Sequence, residues 1–359
     1  MPLVAHNDLP TFKRLKQCGA TILSPNRAVH QDIRELHIGL LNMMPDAALT
    51  ATERQFFRLI GQSNHIAQFY LHPFSFAELD RSETAKAHVA QYYETFEQIK
   101  QGGLDALIIT GANVTQPDLA AEPFWHPLRE VFEWATENVT SILCSCLATH
   151  AALQALHDQR RYNMGKKRWG VFQHRVLDRK HPLVADVNTI FDVPHSRFNN
   201  VSRQQFEAAG LHVLVESEQA EVHLAVSQDG FRVIYFQGHP EYDTISLLKE
   251  YKREVNRFIS GASKTYPPFP DNYFRLRIQG ILNEHRNRVI QALQEGVEPP
   301  PFPEEIVTTE LNNTWHDTAE AVINNWVGLV YQLTDFDRKR AFNSEVDPQD
   351  PLKWLATRS

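Results

Sequence analysis

Cysteine is scarce in this sequence: Cys18, Cys144 and Cys146 are the three present among 359 residues. So sparse and odd a set argues against a disulfide framework and fits a reducing compartment. A Cys-x-Cys pair at 144 and 146 lacks a second cluster of ligands to complete a metal site, so no metal is expected. No stretch approaches the roughly 18 consecutive apolar residues that a membrane helix needs. The segment from Met1 to Leu9 is polar, carries His6 and Asp8, and lacks the charged-then-apolar order of a secretory signal. These absences lead to the expectation of a cytoplasmic protein without membrane contact. Basic excess is missing too. The formal net charge is −7, which leaves nucleic acid an unexpected partner.

Apolar residues are plentiful, at 42% of the chain, enough for a large core in one domain or two. The 17 histidines read, taken singly, as solvated surface groups.

Up to about residue 170, short apolar runs alternate with amphipathic stretches. His37–Leu41, Ile66–Leu71, Leu104–Thr110 and Thr140–Ser145 read as strands. Thr52–Ile60, Ala85–Gln101, Phe124–Glu137 and Leu147–His157 read as helices by their apolar period. Strand and helix alternating at this spacing imply βαβ units and a mostly parallel sheet. After Gly170 the runs 171–176, 213–216, 222–226 and 232–236 are β-like with little helix between them, as in an antiparallel extension of the same sheet. Helices are expected at Thr244–Ile259, within Asn272–Glu295, and at Trp315–Leu333, the last with Thr314 as cap. The expected organisation is an N-terminal arm (1–35), an α/β catalytic domain (36–260), a helical C-terminal extension packed on the core (261–345) and a mobile polar tail (346–359).

Two segments carry chemistry. An apolar strand runs directly into Cys146, and an alanine-rich helix leaves from it. A sharp strand-to-helix turn exposes one side chain above the sheet edge, aims backbone N–H groups at whatever that side chain attacks, and places a thiol where a helix N-terminus favours the thiolate. Cys144, two residues earlier on the strand, suits buried core. The second segment is Gly238-His239-Pro240-Glu241-Tyr242-Asp243, at the end of a strand. A histidine two residues before a carboxylate can meet the thiol with its imidazole while the carboxylate fixes the tautomer. On these residues alone, hydrolase, amidotransferase and acyltransferase chemistry all remain open.

Further segments narrow the choice. Leu40-Leu41-Asn42-Met43-Met44-Pro45, Thr110-Gly111-Ala112, the Cys146 elbow, Pro194-His195-Ser196-Arg197, the 238–243 segment, Glu250-Tyr251-Lys252-Arg253 and Asn325-Trp326…Val330-Tyr331-Gln332-Leu333-Thr334 follow one another in a characteristic order. In these the chain resembles the homoserine O-acyltransferases of methionine biosynthesis, from about residue 34 to residue 338. The resemblance implies a class I glutamine-amidotransferase-like (flavodoxin-like) α/β core. It implies acyl transfer from succinyl-CoA or acetyl-CoA to L-homoserine through a Cys146 thioester, no permanently bound cofactor, and a homodimer. Residue by residue, it makes Cys146 the nucleophile, His239 the general base and Glu241 its orienting carboxylate. Lys167 and Ser196 fall on substrate-binding positions. Arg253 falls on the arginine that clamps the amino acid's carboxylate. Backbone N–H groups near Cys146 and Leu147 are expected to stabilise the tetrahedral intermediates.

The chain departs from the family pattern in three places. The stretch Asp46–Thr52 is slightly longer than in relatives and has no lysine where they commonly carry one. The position that bears on donor choice, four residues after Gly111, is Thr115. Glutamate there goes with acetyl and glycine with succinyl, and an uncharged threonine favours succinyl. The helix around Ile278–Leu293 and the linker Pro299–Pro303 lack a counterpart in shorter relatives. Three other readings stay in view: a glutamine amidotransferase or related amidase, a non-catalytic binding protein on the same fold, and serine in place of homoserine as acceptor.

Overall fold

Every residue of Ala106–Ile109 and of Ser141–Ser145 is buried, as expected for strands covered on both faces. The computed structural model describes residues 3–30, 33–63 and 67–353. In chain order the strands are β1 (Leu3–Val4), β2 (Ile22–Leu23), β3 (Glu35–Leu41), β4 (Gln68–Phe74), β5 (Ala106–Ile109), β6 (Ser141–Ser145), β7 (Tyr162–Val176), β8 (Ile190–Asn200), β9 (His212–Ser217), β10 (Glu221–Val226) and β11 (Val233–Phe236). They form one sheet in the order β2-β1-β4-β3-β5-β6-β11-β10-β9-β7-β8. From β2 to β11 neighbouring strands run parallel, and from β11 to β8 antiparallel. The α/β class, the mostly parallel sheet and its antiparallel extension are as read from the sequence. One strand of that stretch differs: β11 pairs in parallel with β6.

Alternate residues of the strands feed two cores. On one face Ile38, Ile108, Leu143 and Ile234 pack with helix Asp46–Ser63 and helix His316–Leu333. On the other, Leu107, Ile142, Cys144 and Tyr235 pack with helices Trp125–Asn138 and Leu147–His157. A third cluster joins helix Ser246–Ile259 to helix Leu276–Glu295 through Leu248, Tyr251, Ile278 and Leu282. The C-terminal helices therefore pack in two different places. The N-terminal arm also enters the core, with β1 in the sheet and Phe12 and Leu15 buried. Of the segment read as a tail, 346–353 is described, and its Val346 is buried in the first core.

Several boundaries differ from the sequence reading. The helix expected over 85–101 is two helices, Glu83–Tyr92 and Phe96–Gly102. Between them Glu94 donates its backbone N–H to Pro73 O at 2.9 Å, and Thr95 with Gln98 forms a capping box that starts the second helix. The segment Pro194–Arg197 lies on β8, a strand the sequence reading omitted. β8 is the last strand of the sheet, where proline's missing donor is tolerated. The N-cap of the helix at His316 is Trp315 rather than Thr314, and Asn313 Oδ1 accepts from the backbone N–H groups of Trp315 and His316. Of the strand read at 66–71, residue 66 lies outside the described residues. Histidines are not confined to the surface either, since His150, His174, His195, His223, His239 and His285 are buried.

Candidate active site

The register Phe236↔Ser145 between β11 and β6 determines the site. Two parallel strands that end side by side deliver their next residues to one point, Cys146 from one and the 237–243 turn from the other. Cys146 has φ 52° and ψ −106°, a conformation that non-glycine residues adopt only when their surroundings enforce it. The enforcement is visible: Cys146 donates its N–H to Phe236 O at 2.7 Å, and the buried Thr149 hydroxyl lies 2.8 Å from the same carbonyl and 3.0 Å from Cys144 O. This corrects the expectation for the oxyanion donors, because the Cys146 N–H is already committed. Leu147 N is differently placed, at the helix N-terminus and facing Gly111, 3.8 Å from where a Cβ on that glycine would lie.

His239 donates its backbone N–H to Pro194 O at 2.8 Å. Its Nδ1 donates to Glu241 Oε1 at 2.8 Å, and its ring stacks on Tyr242 with centroids 4.2 Å apart. Gly238 is required beside it, since a Cβ there would lie 2.5 Å from Val193 Cγ1 and 2.9 Å from the His195 ring. With Nδ1 held by Glu241, the other ring nitrogen is left for the thiol. Burial raises the Cys146 pKa, but the charge and hydrogen bond of His239, helped by Arg197, outweigh it and hold the thiol below its ordinary value. Burial likewise opposes charge on His239, and Cys146 with Glu241 overcomes it, lifting the imidazole well above the usual range. Each shift favours the charged form of its group. Around them, burial first holds His195 and His223 well below the usual imidazole range, helped next by the Arg197 charge for His195 and by His174 and then Arg197 for His223.

Lys167 and Ser196 come together on Glu250, a residue the sequence reading gave no role. Glu250 Oε2 accepts from Ser196 Oγ at 2.6 Å and pairs with Lys167 Nζ at 3.0 Å. Its other oxygen accepts from Tyr242 OH at 2.8 Å. Burial alone would raise the Glu250 pKa, yet Lys167 and the two hydroxyl donors hold it low. Tyr242 thus joins the Lys167–Ser196–Glu250 group to the His239 ring. Position eight after Tyr242 on an amphipathic helix was the available signal, and it could not be told from a solvated carboxylate.

Arg253 is not brought to this group. It is exposed, pairs with Glu254 at 3.3 Å, and lines an open cleft with Lys249, Lys252 and Arg257 whose walls hold neither Cys146 nor His239. Thr115 is exposed in the loop after β5. Its N–H donates to Glu122 at 2.5 Å, and its hydroxyl lies 3.5 Å from the same carboxylate. Beside the lysine-free stretch the cation is Arg81, buried, donating to Met44 O at 3.0 Å and lying 3.5 Å from Asp46. Among the described residues the group able to hold a metal ion is His6, His72 and Glu94, on other elements than Cys146. No helix among them is long and apolar enough to cross a membrane.

Fold and site define an α/β protein with a cysteine at a strand–helix elbow and a histidine–glutamate pair beside it. The family model described as homoserine O-succinyltransferase matches residues 2–336, and the chain belongs to that family. A homoserine O-succinyltransferase of Allochromatium vinosum is 68% identical over 98% of this chain and 99% of its own length. One of Thioalkalivibrio nitratireducens is 64% identical over 99% of each. Among solved structures, a glutamine amidotransferase from Thermotoga maritima aligns at TM-score 0.43 and 9% identity, covering 84% of this chain and 99% of that one.

Proposed function

We propose that this chain transfers a succinyl group from succinyl-CoA to the hydroxyl of L-homoserine through a thioester on Cys146. The observation that carries the reading is Cys146 at a positive-φ elbow beside His239, whose Nδ1 is held 2.8 Å from Glu241, in a chain of this family. In the first half-reaction the Cys146 thiolate attacks the donor thioester carbonyl. The tetrahedral intermediate collapses, the C–S bond to coenzyme A breaks, and His239 protonates the departing thiolate. In the second, neutral His239 takes the proton of the homoserine hydroxyl as its oxygen attacks the enzyme thioester. Collapse then releases the ester and returns the thiolate to Cys146 beside imidazolium. Leu147 N–H, with the backbone facing it at Gly111, is the oxyanion donor this geometry supports.

The amino acid end is assigned to Lys167, Ser196 and Glu250, whose mixed charges suit a zwitterion. Arg253 contributes a carboxylate clamp by turning from Glu254 toward that group. Succinyl is favoured over acetyl because Thr115 brings no charge to repel a distal carboxylate, and because the relatives carry that name. The working unit is proposed to be a cytoplasmic homodimer without a permanent cofactor.

The test is intact-mass analysis after incubation with succinyl-CoA or acetyl-CoA, without amino acid, beside Cys146→Ala. A succinyl adduct on the parent and none on the variant is expected. An acetyl adduct alone would overturn the donor. An adduct that persists in the variant would overturn the thioester route.

A further inference from the structure

The loop after β5 passes Gly111 and reaches Thr115 and Gln116, whose backbone N–H groups donate to the buried carboxylate of Glu122 at 2.5 and 2.7 Å. Arg161 closes the same loop from the other side. It lies one residue before β7, just past the helix that begins after Cys146, and donates to Gln116 O at 3.1 Å. Its Nε is buried and has no hydrogen-bond partner.

Two guanidinium groups interact electrostatically with Cys146, those of Arg161 and Arg197. Arg197 is committed: it contacts His195 and donates to Asn200 Oδ1 at 3.0 Å and Ala220 O at 2.8 Å. Glu122 and Asp118 also act on the Arg161 charge, Glu122 more strongly than Cys146 does, but neither accepts a hydrogen bond from it. Asp118 is taken by Arg160 at 2.9 Å and Gln154 at 2.6 Å, and Glu122 by the backbone of its own loop. A half-buried cation with an unsatisfied N–H, tied to the loop that passes Gly111 and within electrostatic reach of Cys146, is costly unless a ligand completes it.

We propose that Arg161 is the specificity-determining residue of the acyl subsite, where its guanidinium holds the distal carboxylate of a dicarboxylic acyl group while the reacting carbonyl sits at Cys146. The inference rests on the acyl-transfer reading above and adds to it the residue that would recognise the donor's distal carboxylate. Guanidinium and carboxylate match in charge and in two-point geometry. A site built around such a pair rejects the analogue lacking the carboxylate, because the cation is then left unpaired. Glu122 positions the loop, since pinning the N–H groups of residues 115 and 116 fixes the carbonyl that holds one arm of the guanidinium.

The experiment measures the rate of Cys146 acylation by succinyl-CoA and by acetyl-CoA in the parent, Arg161→Met and Arg161→Lys. The methionine variant is expected to lose about 100-fold in succinylation and far less in acetylation, with lysine in between. A merely structural role would lower both rates by one factor. That outcome, or succinylation unchanged, overturns the proposal. Should methionine prevent folding, the lysine variant carries the test, because it keeps charge and loses the fork. If the parent takes neither acyl group on Cys146, the acyl-transfer reading fails and this inference with it. A succinylated parent with an unaltered donor ratio in both variants removes Arg161 alone.

Discussion

Cys144 and Cys146 are two residues apart and experience opposite fields. Cys144 faces the core between apolar neighbours, and burial alone pushes its thiol far up. Cys146 is only partly covered, and the His239 charge and hydrogen bond outweigh what burial it has, so its pKa falls below the ordinary thiol value. A group whose pKa is lowered keeps its charged form further into acid, so the thiolate persists below the usual thiol range and is lost as pH falls through the lowered value. Iodoacetamide alkylation should therefore be fast at pH 7. In His239→Asn the burial remains without its compensating cation, the pKa rises above the ordinary value, and alkylation at pH 7 should drop by about 10- to 100-fold. An unchanged rate–pH profile in that variant would mean that His239 does not hold the thiolate.

The elements that carry these residues are aligned by register and locked by a clamp. Asp243, at the end of the His239 turn, pairs with Arg54 at 2.7 Å and with Arg58, while Gln55 reaches both Asp243 at 3.3 Å and Ser246 at 2.9 Å. One face of helix Asp46–Ser63 thus grips the turn and the start of helix Ser246–Ile259. Burial opposes the Asp243 charge, but the two arginines outweigh it and depress its pKa. Its contribution to stability is present above the unfolded value of about 3.9 and is lost as pH falls through the folded one. Asp243→Asn should cost about 1–3 kcal/mol at pH 7, with the gap to the parent narrowing as pH falls below the unfolded value, as urea melts at pH 7 and at an acid pH would show. A gap of equal size at both would assign the effect to packing rather than charge.

How far these elements could be read from sequence follows from the reach of each signal. Cys146, His239 and Glu241 were legible because elbow and turn are local, each within a few residues of its own strand. β8 was not, because Pro194 marks it as a break and only its place at the sheet edge makes it a strand. The two helices within 85–101 share an apolar period, and the Glu94 bridge to the end of β4 divides them. Glu250 and Arg161 stayed hidden for a similar reason. Their partners are distant in sequence, Lys167 and Ser196 for one and Gln116 for the other.

Across the whole molecule, the motif read around Asn325 and Trp326 has a mechanical task. Asn325 donates to Leu183 O at 3.1 Å and Ala185 O at 2.8 Å, and Trp326 Nε1 donates to Ser141 Oγ at 2.9 Å. Ser141 opens β6, the strand that presents Cys146 at its far end. Thr334 Oγ1 donates to Asp105 at 2.7 Å, and the other oxygen of that carboxylate receives His37 N–H on β3, also at 2.7 Å. The last long helix is therefore stitched to the centre of the sheet behind Cys146, and its Trp326 is fully buried in the larger core. Removing a side chain of that size should cost about 3–5 kcal/mol, so Trp326→Ala is expected to lower the urea midpoint sharply. Trp326→Phe, which keeps most of the volume and gives up the bond to Ser141, should fall in between. Below the transition, both variants should alkylate Cys146 close to the parent rate, since the helix supports the strand without touching the thiol. The measurement is a pair of curves, unfolding by fluorescence and alkylation against urea. Midpoints that shift together would show one cooperative unit from sheet to C-terminal helix. A parent-like alkylation midpoint in Trp326→Ala would show instead that the catalytic sheet stands without it.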